Sequence, residues 1–251
     1  MKRFFVEHIG EKEKIVLMTG RELHHLRDVL RLKKSDKVIL FDGKGREFIG
    51  IIEAVSKDEA RIVIEKKFDA SNKESRFEIT LAQGIARGEK MDIIIQKATE
   101  LGVSRIIPFV ASRVVPKLSG GEYIAKKTKR WQRIALEAAK QCRRDVVPQI
   151  EESMSFAEVL SRYSHGAEKY IKIIPWEGEE KNKLKDILNV EDSSGCVVLI
   201  GPEGGFSGDE VVEAKKAGFL PVTLGPRILR TETAAISIVA IIQYELGDIG
   251  K

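Results

Sequence analysis

Leu199-Ile-Gly-Pro-Glu-Gly-Gly-Phe206 and Leu224-Gly-Pro-Arg-Ile-Leu-Arg-Thr-Glu-Thr-Ala-Ala235 decide how this chain reads. Each follows an apolar run with the length of a buried strand, Cys196–Ile200 and Leu220–Leu224, and each leads into a helical pattern. Glycine lets bare backbone approach a ligand, and proline stiffens the turn. Two such loops at successive strand ends form one pocket rich in free N–H and C=O groups. That is the small-molecule site of an open α/β sheet, at the carboxyl ends of its strands. Two ordinary strand-to-helix turns are the plainer alternative. Neither Gly-x-Gly-x-x-Gly nor Gly-x-x-x-x-Gly-Lys-Ser/Thr occurs, which argues against a phosphate cradle of either kind.

Working outward, strands alternate with helices from Arg76 onward. Strands are expected at Phe77–Ala82, Arg105–Val110, Lys169–Pro175, Gly195–Ile200 and Leu220–Leu224, and helices at Gly88–Leu101 and Glu122–Arg144. Ser207 with Glu210 three residues on is a capping box for a further helix, which Gly218 follows. This alternation predicts a mostly parallel sheet. Residues 1–68 differ: short alternating segments at Lys2–Val6, Lys37–Phe41, Arg46–Ala54 and Ala60–Phe68 predict a small antiparallel barrel. A helix at Gly20–Leu30 interrupts it, and polar Asp69–Ser75 reads as a linker. Two domains follow, 1–70 and 71–251.

The 251 residues are 43% hydrophobic and 32% charged, a globular composition. No apolar stretch approaches the roughly 20 residues of a membrane span. The start lacks the apolar run of a secretion signal. Cys142 and Cys196 are too few for a disulfide framework, and no His/Cys cluster has zinc spacing. A cytoplasmic, metal-free protein is expected. Residues 1–70 hold 16 cations against 13 anions, residues 71–150 hold 16 against 8, and residues 151–251 hold 11 against 17. The basic middle would attract a polyanion, of which RNA and DNA are the commonest.

Within that middle, Ile124, Trp131, Ile134, Ala135, Ala138 and Cys142 share one helix side. Lys126, Arg130, Arg133, Lys140 and Arg144 form a stripe opposite, broken by Glu137. The stripe is about 27 Å long. It reads either as a phosphate-contacting ridge or as a solvated face. His24, His25, Arg27, Arg31, Lys33 and Lys34 make a second basic group. Gln83–Lys90 and Pro175–Gly178 are further strand-end segments that could line the crevice. In the second glycine loop, Arg227 and Arg230 can hold an anion or polarise a base carbonyl. Thr231 is expected as the N-cap, with Glu232 in the first helical turn. Ala234–Ile242 is apolar almost all round and must be buried, a subunit interface being one place for it. No Ser/His/Asp or Cys/His set and no paired carboxylates suggest hydrolysis.

Taken together, these motifs resemble the RsmE family of ribosomal RNA methyltransferases, in the SPOUT class. Gly201–Phe206 and Leu224–Ala235 carry the likeness, with Gln96-Lys-Ala-Thr-Glu-Leu-Gly102 and the Arg130–Arg144 segment similar to its catalytic domain. His25-Leu-Arg-Asp-Val-Leu-Arg-Leu32 and Leu40–Gly45 resemble its PUA-like barrel. Cys142 stands where the likeness leads one to expect serine. The resemblance implies an α/β fold: a SPOUT-type parallel sheet with a carboxyl-terminal deep trefoil knot, plus a small amino-terminal PUA-like β-barrel. It implies a homodimer that transfers a methyl group from S-adenosylmethionine to N3 of a uridine in 16S rRNA, with the 30S subunit as expected substrate. A SPOUT ribose 2′-O methyltransferase and a non-catalytic RNA-binding assembly protein are the alternatives.

Carried over by position, the cofactor would meet Ile174, Pro175 and Trp176 in one loop. In the next loop it would meet Leu199, Ile200, Gly201, Pro202, Glu203, Gly204 and Gly205. The last contributes Leu224, Gly225, Pro226, Ile228, Leu229, Arg230 and Thr231, with Ala234 beyond. Arg230 is the expected stabiliser of charge on the base, and Glu203 or Glu232 the candidate base. RNA contacts are expected from His25, Arg27, Arg31, Arg87, Lys126, Arg130, Arg133, Arg143 and Arg144.

Overall fold

Alternating segments near the amino end become five strands in a computed structural model, which describes residues 1–10, 13–68, 74–112, 121–164, 169–189 and 193–250. They are β1 (Lys2–Phe5), β2 (Ile15–Met18), β3 (Lys37–Phe41), β4 (Glu47–Val55) and β5 (Ala60–Phe68), with helix α1 (Gly20–His24) between β2 and β3. The sheet order is β1-β3-β4-β5-β2. The expectation of an all-antiparallel barrel is corrected at one edge: β1 runs parallel to β3, Phe4 opposite Leu40. The chain reaches β3 from β1 only by way of β2 and α1, so it arrives in the same direction. Residues His25–Val29 continue α1 as a single π-helical turn, closed by Leu30 N–H donating to His25 O at 2.9 Å. Phe4, Leu26, Val38, Leu40, Ile52 and Ile62 are wholly buried between helix and sheet.

This first compact unit, Met1–Glu74, also includes the segment Ala139–Val147. Charge pairs hold it there. Arg3 stacks 3.7 Å over the Phe41 ring and bridges Glu47 (2.8 Å) and Asp145 (3.0 Å). Lys140 meets Glu22 at 2.6 Å, and Arg144 meets Glu74 at 2.7 Å. Residues 69–73 of the expected linker lie outside the described residues.

The second unit, Ser75–Ala138 with Pro148–Lys251, is a layered α/β structure. In chain order it holds β6 (Glu78–Gly84), α2 (Lys90–Glu100), β7 (Arg105–Val110), α3 (Gly121–Cys142, whose last turn belongs to the first unit), β8 (Gln149–Ile150), β9 (Met154–Ser155) and α4 (Phe156–Ser164). Then come β10 (Tyr170–Pro175), α5 (Leu184–Ile187), β11 (Gly195–Ile200), α6 (Gly208–Lys216), β12 (Leu220–Val222) and α7 (Thr231–Glu245). The sheet runs β12-β10-β11-β6-β7-β8 with β9 also on β7, and every pairing is parallel. All six residues of β11 are buried, as a central strand covered on both faces requires. Phe109 and Phe206 stack 6.3 Å apart over Phe156, joining α4 to the turn that begins α6.

Sheet order positions the site. The chain steps from β10 inward to β11, then back past β10 to β12. Register aligns the ends: Pro175 pairs with Val222, and Ile200 with Gln83. The loops after these strands therefore leave the sheet side by side.

Candidate functional site

Both glycine loops open onto one cavity of about 510 Å³, within the roughly 300–1,000 Å³ range of small-molecule sites. Ile200, Gly201, Pro202, Glu203, Gly204 and Gly205 form one wall. Ile228, Leu229, Arg230, Thr231 and Ala234 form the other, with Pro175 and Glu177 between them. A smaller chamber of about 90 Å³ adjoins it, lined by Pro175, Trp176, Leu224, Gly225, Leu229 and Ala234 among others. Three expected contacts lie elsewhere. Ile174 and Leu199 are wholly buried in the core behind the loops, and Pro226 is exposed and lines neither chamber. A buried strand-end residue points to one sheet face only, which loop position in the sequence does not reveal. Lys90, from the Gln83–Lys90 segment, lines the larger chamber, as does Phe206, which was not among the expected contacts.

Local chemistry explains the loop shapes. Gly205 N–H donates to Pro202 O at 2.9 Å, closing a turn, and Gly205 sits at φ +65°. The Glu177 carboxylate lies about 3.2 Å from where a Gly205 side chain would begin, so only glycine leaves both in place. Ser207 and Glu210 form the expected capping box, and Glu210 also accepts from Ser112 N–H at 2.8 Å. Thr231 is not the N-cap. That position is Arg230, with extended backbone, while Thr231 starts the helix and donates its hydroxyl to Gly201 O at 2.6 Å.

The two candidate bases differ. Burial works against ionisation of Glu203, but N–H groups of Arg87 and of Glu203 itself, with Lys90 Nζ at 3.0 Å, outweigh it and hold the carboxyl below its usual range. An acceptor so occupied is a poor proton acceptor and a good clamp. Glu232 sits in the first turn of α7 with Oε2 buried and without a hydrogen-bond partner among the described residues, and it lines neither chamber. Arg230 is exposed on the cavity wall.

The expected RNA contacts divide sharply. Lys126 and Arg133 are exposed, and with Lys127, Lys129 and Arg130 they line a basic concavity of about 520 Å³. Arg130 is tied to Asp92 at 2.7 Å, yet its side chain stays 49% exposed. Arg87 and Arg143 are exposed. Arg144 is a correction: it is buried, its guanidinium spent on Glu74, and Lys140 of the same stripe is spent on Glu22. In the first unit Arg31 is exposed, Arg27 pairs with Asp28 at 2.7 Å, and His25 packs edge-on against Phe4. Among the described residues no helix is long and apolar enough to cross a membrane, and no group of three His, Cys, Asp or Glu side chains is placed to hold a metal.

Comparison with known proteins follows the same division. A family model described as the RNA methyltransferase domain matches residues 73–243, and one described as the RNA methyltransferase PUA domain matches residues 18–65. The chain is 34% identical over 256 residues to the ribosomal RNA small subunit methyltransferase E of Bacillus subtilis, covering 98% of this chain and 97% of that one. It is 34% identical to the Aquifex aeolicus protein of the same name, covering 91% and 93%. A crystal structure of the Neisseria gonorrhoeae protein of that name, bound to S-adenosyl methionine, superposes with a TM-score of 0.87 at 33% identity, covering 99% of each chain.

Proposed function

Since the chain belongs to the RNA methyltransferase family of ribosomal RNA small subunit methyltransferase E, we propose that it transfers a methyl group from S-adenosylmethionine to N3 of a uridine in 16S rRNA. The two-chambered cavity between the glycine loops carries this reading. Its walls offer backbone N–H and C=O groups and apolar side chains, which suit an adenosine and an amino acid better than a phosphate. Gly201–Gly205, Gly225 and Ile228–Thr231 would hold the cofactor, with Trp176 and Leu224 around the smaller chamber. When bound, S-adenosylmethionine supplies an electrophilic methyl group.

The chain's own residues then orient and stabilise. Arg230, on the cavity wall, offsets the negative charge that grows on the base oxygens as N3 loses its proton. Glu203 clamps the Arg87–Lys90 loop to the first glycine loop. With Glu203 so engaged and Glu232 lining neither chamber, the N3 proton passes to solvent. The concavity of Lys126, Arg130 and Arg133, together with Arg87 and Arg143, supports binding of the RNA backbone, as do Arg27 and Arg31 in the first unit.

Further readings go with this one. The doubling back of β10, β11 and β12, and the Thr231–Gly201 crossing, support a trefoil knot in the carboxyl-terminal part. Exposed Ile241 and Tyr244 on α7, and exposed Ile93 on α2, which packs against α7, support a homodimer through these helices. We assign the protein to the cytoplasm, where 30S subunits are its substrate.

The test is incubation with S-adenosylmethionine and either 30S subunits or naked 16S rRNA lacking the modification, followed by nucleoside mass spectrometry. N3-methyluridine is expected, with 30S subunits the better substrate. A 2′-O-methylated nucleoside would favour the ribose alternative. Failure to bind S-adenosylmethionine in calorimetry would favour a non-catalytic assembly role.

A further inference from the structure

Gln83, the last residue but one of the central strand β6, lines neither chamber and is wholly buried. A primary amide in such a place is costly unless it is used. Its Nε2 donates to Gly84 O at 2.9 Å and to Thr231 Oγ1 at 3.0 Å, and lies 3.4 Å from Gly201 O. Thr231 Oγ1 in turn donates to that same Gly201 O at 2.6 Å. One amide therefore joins the end of β6, the first glycine loop and the start of α7. Gly201 and Thr231 both line the cavity, one from each glycine loop.

Donor and acceptor counting fixes the orientation. The threonine hydroxyl has committed its proton to Gly201, so it can only accept from Gln83. Gly84 O and Gly201 O are acceptors as well. Turning the amide over would set Oε1 against three oxygens, so Nε2 must face them. Oε1 is left buried without a partner among the described residues. Gly84 completes the crossing: a side chain there would begin 2.7 Å from the nitrogen and Cδ of Pro202, so the strand end and the loop touch backbone to backbone.

We infer that Gln83 is a positioning residue for the methyl donor, holding Gly201 and Thr231 at the separation at which the cavity accepts it, without touching the donor itself. This rests on the cofactor reading above. Gln83 acts through Thr231 and Gly201, so its loss should appear in cofactor affinity rather than in RNA affinity or in the rate at saturation.

Calorimetry with S-adenosylmethionine on the full chain tests this, using wild type, Gln83→Met, Thr231→Val and Thr231→Ser. Gln83→Met keeps the length of the side chain and removes its donors. Gln83→Met and Thr231→Val are each expected to weaken binding about tenfold, the scale of one lost hydrogen bond. Thr231→Ser keeps the hydroxyl and should lose clearly less affinity than Thr231→Val. The double variant Gln83→Met/Thr231→Val should lose much less than the two single losses combined, because both interrupt one network. In turnover assays of Gln83→Met the KM for S-adenosylmethionine should rise with Kd, while kcat and the KM for RNA stay within about threefold. Unchanged affinity in Gln83→Met, a serine variant as weak as the valine one, or a fall in kcat at constant KM each overturns the role. If Gln83→Met does not fold, Gln83→Leu takes its place, since it also removes the amide donors. Wild type that fails to bind the donor defeats the cofactor reading itself, an outcome separate from all of these.

Discussion

Arg144→Ala separates the two uses to which a cation on the long helix and its extension can be put. Glu74 accepts from Arg144 Nε at 3.1 Å and Nη2 at 2.7 Å, and from the backbone N–H groups of Asp145 and Val146 at 3.1 Å each. The Arg144 side chain is 8% exposed and that of Glu74 24%. Breaking a fully buried pair by removing one partner costs about 3–5 kcal/mol. Glu74 is partly hydrated and keeps two N–H donors, so the loss should be about 2–3 kcal/mol. It should fall on the first unit, where both partners reside. Trp131 and Trp176 both belong to the second unit, so tryptophan fluorescence would under-report the change. Urea unfolding followed by far-ultraviolet circular dichroism, with hydrogen exchange on β1 and β3, is the suitable assay. Arg133→Ala is the contrast: exposed, it should leave stability within about 0.5 kcal/mol. Its loss should instead weaken RNA binding and lower the salt slope by about one. Arg144→Ala protein as stable as wild type, with the salt slope lowered as in Arg133→Ala, would refute the structural assignment.

Three further outcomes are expected. Lys90→Met and Glu203→Gln both loosen the clamp at the cavity mouth, so each should raise the KM for S-adenosylmethionine several-fold; a normal KM with abolished kcat in Glu203→Gln would instead mark Glu203 as the base. Burial raises the Asp42 carboxyl, but Arg46 at 2.6 Å and the N–H groups of Lys44 and Arg46 outweigh it, leaving the folded value below 3.8. The stability this contributes is present above the unfolded value and is lost as pH falls through the folded one, so acid unfolding curves of Asp42→Asn should be flatter below about pH 4. Burial pushes the Cys196 thiol far up, whereas Cys142 is only half-buried, so alkylation of native protein followed by peptide mass mapping should label Cys142 first.

Much of the fold lay in local patterns. β6, β7, β10, β11 and β12 announce themselves as apolar runs, and the Ser207–Glu210 capping box marks the start of α6. α4 was not among the expected elements, although Phe156, Val159, Leu160 and Tyr163 recur at helical spacing. β2 gave no such signal. Ile15-Val-Leu-Met18 is apolar throughout, so nothing shows that Val16 and Met18 point inward while Leu17 stays 55% exposed. The parallel β1–β3 pairing depends on a crossover that no strand encodes alone.

The site divides along the same line. Glycine and proline constrain backbone within a few residues, so the two loops and their cavity could be expected from the order of residue types. Periodicity places Lys140 and Arg144 on the same side as Lys126, Arg130 and Arg133, although the helix itself ends at Cys142. It says nothing of Glu22 or Glu74, whose separations in sequence are 118 and 70 residues. Gln83 is the same problem in reverse, since its partners lie 118 and 148 residues away. A polar residue closing an apolar strand is therefore ambiguous until the strand's neighbours are known. Whether a charge is surface or strut, and whether a buried amide is a cost or a positioning device, depends on which distant segment has reached it. In this chain packing within the first unit settles the former, and the sheet order of the second unit settles the latter.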